Sequence, residues 1–139
     1  MKLTHLLGFN LLHEYDSAEA GIAVPVVLSV GTSQTEVKAK LDTGATCCVF
    51  EREIGEDLGL DIESGAPERI WTATGSFLAY GHEVSITAFG YQFNIIVYST
   101  AMHDFKRNVL GRKGWLQQMR IGIIDYDGKL YLSAYDDEA

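Results

Sequence analysis

The sequence predicts a mostly β fold, in which many short strands form a barrel-like domain with one or two short helices. Two observations support this prediction. β-Branched or alternating apolar segments recur along the 139 residues, and glycine-bearing turns separate them. The chain shows no internal repeat. Its length is typical of a single domain that buries a sizeable core.

The first predicted element is a β-hairpin that ends at an aspartate. The residues from Val24 to Val30 are rich in β-branched side chains, and Gly31 to Gln34 are typical of a turn. Apolar and charged residues then alternate from Val37 to Leu41, as expected for a half-buried strand. The second strand of this hairpin therefore delivers Asp42 at its end.

The middle of the chain is predicted to contain hairpins and one short helix. Thr46 to Phe50 is a strand candidate, and apolar residues share one face of a helix predicted over Glu51 to Leu58. Two extended stretches between Arg69 and Ile86 flank a turn-like tip formed by Thr74, Gly75 and Ser76.

The last third is predicted to contain another helix and a closing hairpin. Three apolar residues fall at helical spacing after Arg112, namely Trp115, Leu116 and Met119. This spacing predicts a strand-to-helix transition near Arg112. Ile121 to Ile124 and Lys129 to Leu132 are typical strands, joined through the hairpin-turn dipeptide Asp127-Gly128.

The first twenty residues are predicted to be an extension that precedes the domain. Residues 1–20 show no clean period, and Glu14 to Ala20 is polar and small, which indicates a loosely attached segment. Regular β patterning begins at Ile22. We therefore expect the folded domain to span residues 21–139.

Composition argues against nucleic acid and membrane as partners. The net charge of −8 repels polyphosphate, and no Lys/Arg cluster with interleaved aromatic residues is present. No apolar run approaches the length of about 20 residues that spans a bilayer. We therefore expect neither a signal peptide nor a membrane anchor.

The cysteines and histidines predict neither a disulfide nor a metal site. Cys47 and Cys48 are neighbours, and neighbouring side chains on a strand point to opposite faces, so reduced thiols and a cytoplasmic location are expected. The four histidines lack the paired spacing that zinc sites require. We expect no metal and no cofactor.

The chemistry is predicted to depend on Asp42, Thr43 and Gly44. Hydrolysis of a peptide by aspartates needs two carboxyl groups that share one proton, so that one activates water while the other protonates the carbonyl oxygen. Only one Asp-Thr-Gly occurs here, and the second carboxylate must therefore come from another copy across a two-fold axis. The Thr43 hydroxyl is suited to a hydrogen bond across that axis, and Gly44 removes a Cβ that would block close approach.

An ordinary turn is the alternative interpretation of Asp-Thr-Gly, because aspartate and glycine are favoured in turns. A second motif, Asn108-Val109-Leu110-Gly111-Arg112, makes the combination much rarer than either part. Together with Leu41-Asp42-Thr43-Gly44-Ala45, it resembles the retropepsins and their bacterial single-lobe relatives over roughly Gly21 to Ser133.

The resemblance implies a closed acid-protease barrel whose later motif packs beside the catalytic turn and contributes Asn108, Gly111 and Arg112. It implies a flap hairpin over Arg69 to Ile86, whose tip residues Thr74, Gly75 and Ser76 contact substrate. The residues past the catalytic turn would line the substrate subsites: Ala45, Thr46, Cys47 and Val49. Retroviral members often carry an acidic partner for the motif arginine where this chain has Thr46, so the dimer contact near Arg112 is expected to differ.

These observations predict an aspartic endopeptidase that acts as a homodimer on peptide or protein substrates. A different class of function keeps the fold without turnover, as a dimeric module whose flap groove binds extended peptides. Cleavage of its own N-terminal segment is a third possibility for the chain.

Overall fold

Six strands form a closed barrel, as the sequence predicted. The computed structural model describes residues 2–138. The strands are β1 Leu11–Glu14, β2 Ala23–Val30, β3 Ser33–Leu41, β4 Cys48–Phe50, β5 Ala66–Thr72, β6 Gly75–Ala88, β7 Tyr91–Thr100, β8 Val109–Leu110, β9 Met119–Ile124 and β10 Lys129–Ala134. Helix α1 spans Arg52–Asp57, and single 3₁₀ turns lie at Ile62–Ser64, Leu116–Gln118 and Asp125–Asp127.

The barrel closes because β2 pairs on both of its edges. The strand order is β2-β3-β8-β4-β7-β6, and β2 returns to pair with β6 over Val27 to Ser29. Inward-facing residues of β2 alternate with outward ones, so that Val24, Val26 and Leu28 are buried in the core. Side chains fill the interior of the barrel.

The first hairpin is confirmed with a shorter turn than predicted. β2 and β3 pair from Ala23–Lys40 to Val30–Ser33, and Gly31 adopts φ +58°, which glycine tolerates without strain.

Two parallel pairings then organise the chain after this hairpin. β3 pairs with β8 and β4 pairs with β7. The end of β3 and the start of β4 therefore lie beside β8.

The flap hairpin is confirmed, but its tip lies earlier than predicted. β5 pairs with β6 from Ala66–Gly81 to Thr72–Gly75, which leaves Ala73 and Thr74 in the turn. Gly75 and Ser76 therefore belong to β6 rather than to the tip. Gly75 has φ +146°, a conformation that favours glycine, although it is already paired with Thr72. The glycine therefore marks the first residue of β6, and the predicted tip was about one residue too late. β5 lies outside the barrel ring and has β6 as its partner.

The helix predicted after Arg112 is wrong except for one turn. Gly114 has φ +107°, which a right-handed helix does not accommodate, and the 3₁₀ turn starts only at Leu116. Met119 already pairs with Ala134 as the first residue of β9. The helical spacing of the apolar residues arises because Trp115 and Met119 both enter the core.

The N-terminal segment is not loosely attached, contrary to the prediction. β1 pairs with β10 over Leu11–Leu132 to Glu14–Lys129, and β10 pairs in turn with β9. The guanidinium of Arg120 donates to the carbonyl of Gly8 and to carbonyls near the C-terminal end of the sheet. The isolated strand pattern was too short to be recognised in the sequence.

No helix within residues 2–138 is long and apolar enough to cross a membrane.

Candidate active site

The turn after β3 holds Asp42 through its backbone and its side chain. The amide of Asp42 donates to the Leu110 carbonyl at 3.0 Å, which ties the turn to β8. The amide of Gly44 donates to Asp42 Oδ1 at 2.9 Å, and the amide of Ala45 donates to the Asp42 carbonyl at 3.2 Å. These bonds fix the direction of the carboxylate.

Gly111 allows the later motif to lie directly against this turn. A Cβ at Gly111 would come within 2.1 Å of the Cys47 carbonyl oxygen and 2.9 Å of the Ala45 carbonyl oxygen. The amides of Arg112 and Lys113 donate to the carbonyls of Ala45 and Thr46, at 2.9 and 2.8 Å. The residue at this position must therefore lack a side chain.

A cleft of about 500 Å³ opens beside the Asp42 carboxylate. Its walls come from the turn that carries Asp42, from the flap strands β5 and β6, and from the segment between β7 and β8. The lining residues are Asp42, Gly44, Ala45, Thr46, Cys47, Val49, Glu68, Arg69, Ile70, Trp71, Thr72, Phe77, Phe105, Arg107 and Val109. The walls are mainly apolar or aromatic, with charged groups of both signs.

Four predicted substrate-binding residues lie together on the wall of this cleft. They are Ala45, Thr46, Cys47 and Val49. Thr43 is exposed on the turn and lies outside the lining. The three predicted tip residues Thr74, Gly75 and Ser76 also lie outside it. The flap instead lines the cleft through its strands, and the roles of all these residues in substrate binding stay predictions.

The motif residues Asn108 and Arg112 act differently in the structure. The Asn108 carbonyl accepts from the Lys40 amide, and its side-chain oxygen accepts from the Glu51 amide at 3.0 Å. Asn108 therefore links β3 to the residue before α1. The Arg112 side chain is exposed and makes no hydrogen bond or ion pair within the part of the chain that the structure describes.

Sequence reasoning missed several residues of the cleft, among them Glu68, Phe105 and Arg107. Phe105 and Phe77 pack with their ring centroids 4.5 Å apart, which joins the segment after β7 to the flap. The segment from Ala101 to Arg107, just before the second motif, has no period and no motif of its own. A single aromatic residue within a polar loop was the one signal it offered.

The two cysteines occupy different environments. Cys48 is fully buried, and burial raises the pKa of its thiol to about 11. Cys47 lies half-buried on the cleft wall, where burial and then the charge of Glu68 raise its pKa. Both thiols are free. Cys48 is therefore a small side chain of the core, whereas Cys47 faces the cleft.

The chemistry that one chain offers is that of a single oriented carboxylate. Within residues 2–138, no three His, Cys, Asp or Glu side chains gather in a way that would hold a metal ion. Glu68 is the other acid on the cleft wall, but it lies on the flap and shares no hydrogen bond with Asp42 within the described chain. One Asp42 can accept a proton from water but has no neighbouring acid to protonate the carbonyl.

Comparison with known proteins identifies the family and the fold of the chain. A family model described as aspartyl protease matches residues 26–113, which include both motifs. Among solved structures, the chain is similar to "EIAV protease complexed with the inhibitor HBY-793" at 21% identity and a TM-score of 0.53, covering 68% of this chain and 84% of that chain. A search of curated proteins finds no match. The fold is retropepsin-like, and the chain belongs to the aspartyl protease family.

Proposed function

We propose that the protein is an aspartic endopeptidase that acts as a homodimer. One observation carries the proposal. The Asp42 carboxylate is rigidly held by its own turn, lies in a cleft of peptide-binding size and yet is exposed within one chain. A second copy that meets the first at this turn would cover the exposed residues and supply the missing acid.

In the proposed mechanism, two Asp42 carboxyl groups share one proton. The ionised group takes a proton from a water molecule as that water attacks the peptide carbonyl carbon. The protonated group hydrogen-bonds to the carbonyl oxygen and donates its proton to it. The tetrahedral intermediate then collapses with proton transfer to the leaving amine, and no covalent intermediate with the enzyme forms. Neither a metal nor a cofactor takes part.

The substrate is proposed to be an extended peptide that lies between the catalytic turns and the flaps. Trp71 on β5 lines the cleft and is 75% exposed, so a bound chain would remove a large apolar surface from water. The proposed catalytic domain is built on residues 21–139, and residues 1–20 add β1 to the edge of its β9–β10 sheet. We propose a cytoplasmic location because both thiols are free.

The first experiment compares the parent protein with Asp42→Asn on a mixed peptide library at several pH values. Cleavage by the parent alone is the expected result, because amide oxygen cannot act as the general base. Cleavage by both proteins would refute the role of Asp42. Peptide binding without cleavage by either protein would instead support a non-catalytic peptide-binding module.

The second experiment tests whether both carboxylates come from the same residue of two chains. Equal amounts of parent and Asp42→Asn are mixed under conditions that exchange protomers. Random pairing leaves about one quarter of the dimers with two intact aspartates, so specific activity per total protein falls to about a quarter. A fall to about one half would show that each chain works alone, and Glu68→Gln would then be the next variant to assay.

A further inference from the structure

We propose that Glu53 is a positioning residue that holds the loop from Ala101 to Asn108 against α1, and that Arg107 on this loop selects peptides with an acidic side chain. This segment, which connects β7 to β8, is called the groove loop below. The inference rests on the proposed peptide-binding function of the cleft. It assigns a task to an ion cluster that the catalytic mechanism does not use.

Glu53 lies on α1 and binds the groove loop through two side chains. Its Oε1 accepts from Lys106 Nζ at 2.8 Å and lies 3.1 Å from His103 Nδ1. Its second oxygen, Oε2, is buried, so the carboxylate is packed against its surroundings rather than freely hydrated. One carboxylate therefore restrains two positions on either side of Phe105.

The ends of the groove loop are bound to the same part of the chain. The Arg52 guanidinium donates to the Ala101 carbonyl at 2.9 Å, and Asn108 Oδ1 accepts from the Glu51 amide at 3.0 Å. Three consecutive residues, Glu51 to Glu53, thus contact the start, the middle and the end of the loop. A loop without helix or strand is held in one conformation by these anchors.

This arrangement presents two residues to the cleft. Phe105 packs on Phe77 of the flap at 4.5 Å between ring centroids, and Phe105 and Arg107 both line the cleft. The aromatic pair offers a surface for a large apolar side chain. Because Lys106, which lies between them in the chain, is bound to Glu53, the carboxylate restrains the backbone that carries both residues.

Arg69 and Arg107 are the cations of the wall, and neither forms an ion pair within residues 2–138. Arg69 donates to the Ser76 hydroxyl within the flap, whereas the Arg107 guanidinium makes no side-chain hydrogen bond in the described chain and is left for a ligand. Glu68 lies on the same wall and is close to Cys47. Burial, and then the negative charge of Glu68, raise the pKa of the Cys47 thiol. A peptide with an acidic residue next to a large apolar one would therefore match Phe105 and Arg107 together.

The test measures peptide binding in the Asp42→Asn background, where turnover cannot interfere. The probes are fluorescein-labelled octapeptides with a central Leu-Phe pair, flanked by Glu, Gln or Lys in otherwise matched sequences. By fluorescence anisotropy, the Glu peptides should bind roughly three- to fivefold more tightly than the Lys peptides at low salt. The preference should shrink in high salt and reverse in Arg107→Glu.

The positioning role is tested with Glu53→Gln beside Asp57→Asn. Asp57 lies on the same helix, is exposed and makes no side-chain contact with the groove loop within the described residues, so it controls for loss of one negative charge. Glu53→Gln should speed amide hydrogen exchange at residues 102–107 and abolish discrimination between Glu and Lys peptides. Asp57→Asn should do neither.

The outcomes separate this inference from the proposed function. Peptide binding with equal affinity for Glu and Lys probes, or unchanged exchange in Glu53→Gln, would overturn the inference while leaving the peptide-binding cleft intact. Binding of no probe by the Asp42→Asn protein would overturn both. Discrimination that Arg107→Glu reverses, together with loss of loop protection in Glu53→Gln, would support the inference.

Discussion

Replacing Gly111 by alanine tests how the turn that carries Asp42 is held. The added Cβ would lie 2.1 Å from the Cys47 carbonyl oxygen and 2.6 Å from the Cys47 carbonyl carbon. Both are backbone atoms, so no side-chain rotation relieves the overlap. Either β8 or the turn that carries Asp42 must move, and hydrogen bonds join the two segments.

The magnitude follows from what that movement breaks. Overpacking a closely packed site costs about 1 to 3 kcal/mol. Separating the two segments also weakens the bonds from the amides of Asp42, Arg112 and Lys113, each worth about 0.5 to 1.5 kcal/mol. We therefore expect Gly111→Ala to lower the free energy of unfolding by about 3 to 5 kcal/mol, a large part of the stability of an ordinary domain.

Urea denaturation at fixed protein concentration measures this loss, with Gly31→Ala as the matched control. Gly31 has φ +58° and no atom within 4 Å of its added Cβ, so only backbone strain of about 1 to 2 kcal/mol is expected there. The proposed peptidase activity is assayed on both variants at a temperature where each remains folded. Gly111→Ala should lose activity because Asp42 is displaced, whereas Gly31→Ala should keep it.

Equal stability of the Gly111→Ala and Gly31→Ala proteins would refute this reasoning. So would full activity in Gly111→Ala, because it would mean that the turn keeps its geometry without close contact to β8. Loss of activity with unchanged stability would show that the turn can move at little cost, contrary to the hydrogen bonds described above.

Three further predictions concern the surroundings of the cleft. The pKa of Glu53 is lowered from 4.5 to about 2, foremost by the hydrogen bond from Lys106 and then by a backbone hydrogen bond and by His103. The ionised carboxylate therefore stabilises the folded state fully when the pH is above 4.5. The stability gap between parent and Glu53→Gln, from urea curves, should be full at neutral pH and close as pH falls from 4.5 towards 2. Ellman's reagent at pH 7 should label Cys47 before Cys48, because burial raises the pKa of the Cys48 thiol to about 11. Labelling of both thiols at the same rate would contradict their different exposure. Deleting residues 1–20 removes β1 and uncovers an edge of β10, so the midpoint of thermal unfolding should fall; an unchanged midpoint would mean that β1 adds nothing.

The parts of the fold that local sequence determines were predictable. The β2–β3 hairpin follows from alternation and a glycine turn, and α1 follows from its apolar face. Predictions failed where distant partners decide. Leu11–Glu14 is a strand because β10 lies beside it, and Leu116–Gln118 is limited to one turn because β9 must begin at Met119.

The candidate site divides in the same way. The resemblance to the retropepsins predicted that the Gly111 motif packs beside the turn that carries Asp42, and the structure has this contact through Leu110, Ala45 and Cys47. Phe105 and Arg107 could not be predicted, because nothing local marks a loop whose position comes from ion pairs with a helix about fifty residues earlier. Ionic anchors leave no periodicity in the sequence.

The same contrast explains why a single chain holds a finished turn but half of the proposed chemistry. Every backbone contact that orients Asp42 is internal, since Leu110, Gly44 and the Asp42 carboxylate itself supply the hydrogen bonds. Such a turn costs little further ordering when two copies meet, because its conformation is already set. A preformed but exposed acid is therefore what assembly at a two-fold axis requires, and a chain that built its turn only on association would bind its partner more weakly.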